Sequence, residues 1–487
     1  MKTEIDVNPA RRTAARAVLA TVLTLWVAAA CSDDKNPTGP AATIAVTDLQ
    51  LKPGTEAGPL AVATFTAQDA DSARAWFAVP GSDARATPFF PVADGDGRVV
   101  VTGLDPSTDY EIYIEARAGV DSGISEKASY STDALPEALK SIRIDMSTGT
   151  FPSGYILTEA EASDSTLYAL AFDSTGKLVW YRHFPDYHQI LDFQQQPNGH
   201  YTIYLGTSTG KEPVDGEYAE FTTAGDITHT WKIPGAYYTD PHEIRFLMQD
   251  TTVVAAYLFG YDQHELDMTG HGGTAHDMVS VHQIFRLSPG GDADLLFDAM
   301  DRWTPADFTS PPLTDKLDMD HPNSLDFDSD GNLIVSWRSL GAITKHDSNT
   351  GDVIWQLGGT KSDFTIEGDP LNGFSGQHFA RMLPDNHILL YDNGTGHDPN
   401  VTRPVEYALD TDNMTATMVW NYLSADKTYT TYMGSAQRLP NGNTLVGYST
   451  AAIIALVGPN GTVLAQGSKM DGGNSSIFYR AIWVPRL

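Results

Sequence analysis

The chain has 487 residues, a formal net charge of −31 and a single cysteine. That length gives room for two or more domains, the charge supplies no phosphate-neutralising face and so excludes nucleic acid as a partner, and one cysteine excludes an internal disulfide. With 42 Gly and 28 Pro, short β-rich runs broken by turn residues fill most of the sequence. Helical periodicity is rare, which predicts an all-β protein.

Residues 1–30 read as a targeting segment. Arg11, Arg12 and Arg16 form a basic start, and Ala17–Ala30 is apolar but too short for a stable membrane span. The run ends Ala28-Ala29-Ala30-Cys31, which resembles a bacterial lipobox, although Ala28 stands where leucine is usual. The resemblance implies cleavage before Cys31 and lipid on its thiol; the alternative is an ordinary secretory signal with a chance cysteine. Residues 31–41 then form a flexible tether. Several acyl chains on one residue anchor stably, because each buried methylene contributes roughly 0.8 kcal/mol. Ser32 in place of aspartate implies, by resemblance to enterobacterial lipoproteins, the outer membrane, with the chain facing the periplasm or the surface of the cell envelope. Residues 1–30 carry four basic and two acidic side chains, so the mature chain is near −33. Such a charge aids solubility and repels anionic substrates at long range. An anion site must therefore carry its own cations.

Residues 42–135 read as a separate β unit. Alternating runs fall at Leu60–Phe65, Ala73–Val79, Val99–Thr102, Tyr110–Ala116 and Ala128–Thr132. The segment Leu104-Asp105-Pro106-Ser107-Thr108-Asp109-Tyr110 resembles the tyrosine corner of fibronectin type III domains, in which a Tyr hydroxyl ties a strand to the turn before it. That resemblance implies a spacer or contact surface rather than a catalytic domain.

Residues 138–487 repeat. A turn followed by a strand ending in an aromatic recurs at Trp180, Trp231, Phe297, Trp355 and Trp420, and a sixth copy at Gly458–Leu464 lacks the aromatic. A second element alternates with it, as in Pro197-Asn198-Gly199, Asp330-Gly331-Asn332 and Pro440-Asn441-Gly442. The aromatics lie 51, 66, 58 and 65 residues apart. Turn-rich β repeats at this period predict a propeller of six blades, with the Trp rings packed between blades and Ile482–Val484 pairing near Tyr155–Leu157 to complete it.

Three histidines precede the second element in successive repeats: Asp240-Pro241-His242, Asp320-His321-Pro322-Asn323 and Gln377-His378. In a propeller such positions lie on the innermost strands, so the three imidazoles are expected to converge. Three imidazoles can hold zinc. Against that, no carboxylate in these motifs clearly completes a second shell, and Asn323 and Arg338 stand beside them. A guanidinium repels a metal and binds a tetrahedral oxyanion in bidentate fashion. The segment from His264 to His282, with His271 and His276 among Gly and Asp, reads as a loop: a substrate lid, a metal loop or a solvated insertion.

The ordered set His242; His321-Pro322-Asn323; Trp337-Arg338; Gly351 to Gly359; Gln377-His378; Tyr391-Asp392-Asn393-Gly394 resembles the bacterial arylsulfate sulfotransferases over residues 140–487. The resemblance implies a six-bladed propeller that moves a sulfuryl group from a phenolic sulfate ester to a phenol acceptor. It implies no adenylyl-sulfate cofactor and ping-pong chemistry through a sulfated histidine; no cofactor and, from Asn323 and Arg338, no metal are expected. His378 then corresponds to the nucleophile, and His242, His321, Asn323 and Arg338 to the sulfuryl-binding and proton-handling set, with the acid/base role open between His242 and His321. Sulfuryl transfer, like phosphoryl transfer, has a loose transition state that donors on the non-bridging oxygens stabilise. Ser435, Tyr479 and Arg480 are further substrate-binding candidates, with packing as the alternative. The family's disulfide has no counterpart here, and its homodimer contacts need not carry past the extra N-terminal unit. The competing readings are a ligand-binding or scaffold propeller without chemistry and a metal-dependent hydrolase built on the histidines.

Overall fold

The structure is a computed structural model and describes residues 43–93, 95–162, 164–207, 215–309 and 317–487. The targeting segment, the tether and Cys31 lie outside the described residues. Among the described residues the chain is all-β, broken only by short 3-10 turns, and no helix is long and apolar enough to cross a membrane.

The first strands form two sheets that share one core. Ser72–Ala78 buries Ala73, Ala75 and Phe77, and Asp109–Ala118 buries Tyr110, Ile112, Ile114 and Ala116, the period of two expected of a half-buried strand. They meet Phe65, Val99 and Val101 of the three-stranded sheet. The Tyr110 hydroxyl accepts the Asp105 backbone N–H at 2.8 Å, the corner anticipated from the sequence. Tyr110→Phe is expected to cost about 1 kcal/mol, one net hydrogen bond. It should lower the thermal midpoint without changing turnover below the transition.

This sandwich packs directly on the repeat region. Ala57–Gly58 leaves it to pair with the edge strand Leu178–His183 of the repeat region. Leu60 and Val62 share a core with Trp180 and Phe221, and Arg98 pairs with Asp226. Thr43–Leu487 forms one compact unit. The strand pair covers an edge that would otherwise present unpaired N–H and C=O groups.

Among the described residues six sheets make up the repeat region, antiparallel except where the short strands Leu317–Asp318 and Thr365–Glu367 add in parallel. The one built from Gln189–Gln195, Tyr201–Gly206, Gly216–Phe221 and Ile227–Trp231 is a plain four-strand meander. Its innermost strand, Gln189–Gln195, touches Tyr238–Gln249, which touches Pro322–Phe327, then His378–Leu383, Ser435–Arg438 and Ile482–Val484. The ring closes where Ile482–Val484 pairs with Tyr155–Glu161, which lies against Gln189–Gln195. At the outer side, Arg143–Thr148 pairs with Val463–Asp471, so the two ends of the repeat region are stitched together twice. Closure is what a propeller needs to leave no long edges. Trp180 stacks on Phe193, Tyr201 and Phe221 of the next sheet, the packing role expected of the recurrent aromatics. Gly358 and Gly359 have φ of 80° and 69°, and a Cβ there would lie 2.6 Å from the Gly341 carbonyl and 2.7 Å from that of Leu340. That motif shapes the scaffold.

Candidate active site

Four consecutive inner strands carry β-bulges, at Leu191/Gln194, Thr239/Ile244, Pro322/Ser324 and His378/Arg381. Bulges turn side chains away from the regular alternation. His242 sits inside its bulge, His321 stands just before its strand with φ of 49°, and His378 opens its strand, followed by Phe379 at φ 52°. The three are therefore not equivalent repeat positions, as their shared placement before a turn implied. They converge all the same. The His242 and His321 rings lie 4.6 Å apart, centre to centre, and His321 and His378 6.5 Å.

The tautomer of His378 follows from its neighbours. Asn393 donates its amide N–H groups to the carbonyls of Thr430 and Met433, at 3.0 and 3.1 Å. Its Oδ1 is thus the acceptor that faces His378 Nδ1 at 2.7 Å, so Nδ1 carries the proton and Nε2 the lone pair. That nitrogen accepts the Met433 N–H at 3.2 Å. Burial, then the Arg338 guanidinium and the His321 ring, hold the His378 pKa well below its ordinary value against the Asn393 bond. An uncharged ring with its lone pair on Nε2 is the form that attacks an electrophile. The preceding residue anchors the strand: Gln377 Nε2 donates to Ser336 Oγ and the Trp337 and Ala342 carbonyls.

His242 and His321 each have a carboxylate behind them, contrary to the expectation that none completes a second shell. The sequence motifs hid this because Asp240 and Asp318 are local neighbours that only the bulged backbone folds back. His242 Nδ1 faces Asp240 Oδ1 at 2.8 Å, and His321 Nδ1 faces Asp318 Oδ2 at 2.6 Å. Each Nδ1–H is spent on its carboxylate, which leaves Nε2 for substrate. Burial pushes the His321 pKa down, with Asp318 opposing and His242 and Arg338 adding to the fall. Arg338 is buried, its Nη2 donating to the Thr431 carbonyl at 3.2 Å and its backbone N–H to the His321 carbonyl.

The remaining candidates separate. Asn323 is buried, donates Nδ2 to the Gln377 carbonyl at 2.7 Å and has no hydrogen-bond partner for Oδ1 among the described residues. Tyr479 packs edge-on against His242 at 6.2 Å and donates its hydroxyl to the His242 carbonyl. Arg480 turns instead to the protein interior, onto Asp192, the Asn323 carbonyl at 2.6 Å and Glu243 at 3.1 Å. Ser435 exchanges hydrogen bonds with the Ala481 backbone, both at 3.1 Å. For these two the structure favours the packing alternative over substrate contact, because their polar atoms are used in joining inner strands.

The His264–His282 segment is a long hairpin rather than a loop: Thr252–Leu266 pairs with Asp277–Leu287 in unbroken register. His264 and His276 bond Asp262 and Glu265 near its tip, and His271 packs on Phe308 at 5.1 Å. His282, deep in the same hairpin, is buried against Asp320, Asp240 and Asp318. The apolar residues around it, Val279, Val281 and Ile284, are the sequence signal of a buried strand. His282, Asp318 and Asp320 bring ligand-type atoms within 4.8 Å of one another. Those atoms already bond one another and the backbone N–H groups of His282 and His321, and we assign them no ion.

An all-β propeller with imidazoles gathered at its inner strands and the Arg338 guanidinium beside them defines a class, a propeller enzyme with a histidine–arginine centre. The chain belongs to the arylsulfotransferase (ASST) family, whose sequence profile matches residues 140–471. It is accordingly a sulfotransferase acting on phenolic compounds. No curated protein matches it. Among solved structures, a protein of unknown function from Bacteroides caccae aligns with TM-score 0.40 at 11% identity, over 68% of this chain and 99% of that one. A virginiamycin B lyase from Staphylococcus aureus, solved with quinupristin, gives 0.35 at 11%, over 66% and 88%. A Bacteroides thetaiotaomicron protein gives 0.35 at 9%, over 91% and 93%.

Proposed function

We propose that the enzyme transfers sulfuryl groups between phenols by a ping-pong route through His378, on six blades and without a cofactor. The Nε2 lone pair attacks sulfur, the bond from sulfur to the donor's phenolic oxygen breaks, and an N–S bond forms. The leaving phenolate takes the Nε2 proton of His242 or His321. In the second half that same nitrogen accepts the acceptor's hydroxyl proton, the phenolic oxygen attacks sulfur, and the N–S bond breaks to return the lone pair to His378. Arg338 supplies charge to the non-bridging oxygens, where a preorganised donor contributes most. The observation that carries this reading is the uncharged, Asn393-oriented His378 beside a buried guanidinium.

We also read the sandwich as a fibronectin type III-like domain and Cys31 as the lipidated start of an outer-membrane protein. Intact-mass analysis of the mature protein after mixing with 4-nitrophenyl sulfate tests both levels. One added sulfuryl group, mapped to His378, is expected, on a chain beginning at an acylated Cys31. An adduct elsewhere, or none while nitrophenol is released, rejects the route through His378.

A further inference from the structure

The buried imidazole of His282 has carboxylates at both ring nitrogens. Nδ1 faces Asp320 Oδ1 at 2.5 Å and lies 3.6 Å from Asp318, while Nε2 faces Asp240 Oδ2 at 3.3 Å. The His282 backbone N–H also donates to Asp320, at 3.0 Å. A neutral ring would set a lone pair against one of these oxygens, and only the doubly protonated ring donates to both. Asp240 and Asp318 are the same carboxylates that hold Nδ1 of His242 and of His321.

We propose that His282 is a positioning residue, a fixed imidazolium that bridges the two carboxylates behind His242 and His321 and offsets their charge. Its effect is on proton traffic. A carboxylate alone favours the charged form of the imidazole it touches, and an imidazole locked in that form cannot take the acceptor's proton. With His282 sharing the negative charge, the carboxylates favour the charged form of the rings less strongly, as a two-way transfer requires. The energetics agree with the geometry: burial disfavours the charged ring, but Asp320, Asp318 and Asp240 outweigh it and raise the His282 pKa well above its ordinary value. Among the described groups, those facing His282 are Asp240 from Tyr238–Gln249, Asp318 and Asp320 from the approach to Pro322–Phe327, and the Tyr261 ring at 5.4 Å from Thr252–Leu266.

The inference rests on the sulfuryl-transfer reading, so its test separates the two. The pH dependence of kcat/KM for a phenol acceptor is measured in the full chain and in His282→Gln. Without the imidazolium, Asp240 and Asp318 pull harder on the rings they hold, and the acidic limb moves up by about one pH unit. An unmoved limb, with turnover lowered evenly at every pH or not at all, overturns the inference. A wild-type enzyme that transfers without a sulfated His378 overturns the reading beneath it instead. Should His282→Gln not fold, ¹⁵N spectra of the histidine-labelled wild-type protein serve in its place. A ring with both nitrogens still protonated at high pH is expected, and the absence of any such ring overturns the inference.

Discussion

His378→Ala should lower transfer from 4-nitrophenyl sulfate to a phenol by about 10⁴-fold or more, the scale of loss when a covalent nucleophile is deleted. The protein should stay folded, since the ring's hydrogen bonds to Asn393 and Met433 contribute only about 1 kcal/mol each. Nitrophenolate release followed in a stopped-flow instrument, beside a thermal melt, checks both halves. Turnover equal to wild type would remove His378 from the chemistry. The pH profile carries a related expectation. Because the His378 pKa sits well below its ordinary value, the nucleophile is uncharged at neutral pH and remains so on mild acidification. An acidic limb near neutrality is therefore not expected from His378 itself.

Arg480→Met should instead act on stability. The Arg480 side chain is 2% exposed, and its partners Asp192 and Glu243 are fully buried. Burial opposes the Arg480 charge, but Glu243, Tyr479 and Asp192 outweigh it and raise its pKa. Removing the guanidinium strands buried carboxylates, which costs about 3–5 kcal/mol. Arg381 and Arg245 still reach Glu243, so Asp192 is the group left most exposed to the loss. Denaturant unfolding measures the change. Unaltered stability with a raised KM for the aryl sulfate would place this guanidinium on the substrate and reverse the assignment.

The contrast between Arg480 and Arg338 shows where sequence reading reaches its limit. Both are arginines beside a candidate motif in a strongly acidic chain, and both were reasonable anion binders. Which one turns toward the histidines depends on which carboxylates the ring of sheets brings within reach. Arg480 meets Asp192, nearly three hundred residues away, and no local pattern announces that pairing. His282 was obscured for a similar reason. Its hairpin reads as a Gly- and His-rich loop, because the turn between Leu266 and Asp277 dominates the composition of the segment.

The all-β class, the repeating sheets, the Tyr110 corner, the pairing of Ile482–Val484 with Tyr155–Leu157 and the grouping of His242, His321 and His378 were all readable from the amino acids. Each rests on patterns carried in the chain itself: alternation of apolar residues, turn residues at fixed offsets, and aromatics recurring 51 to 66 residues apart. The tertiary structure alone decided how the bulges aim three unequal positions at one another, and which ring nitrogen of His378 bears the lone pair. It alone built the sandwich into the propeller and set carboxylates behind His242 and His321. These depend on partners drawn from distant segments, and a hydrogen bond or ion pair exists only once the chain has folded both halves into contact.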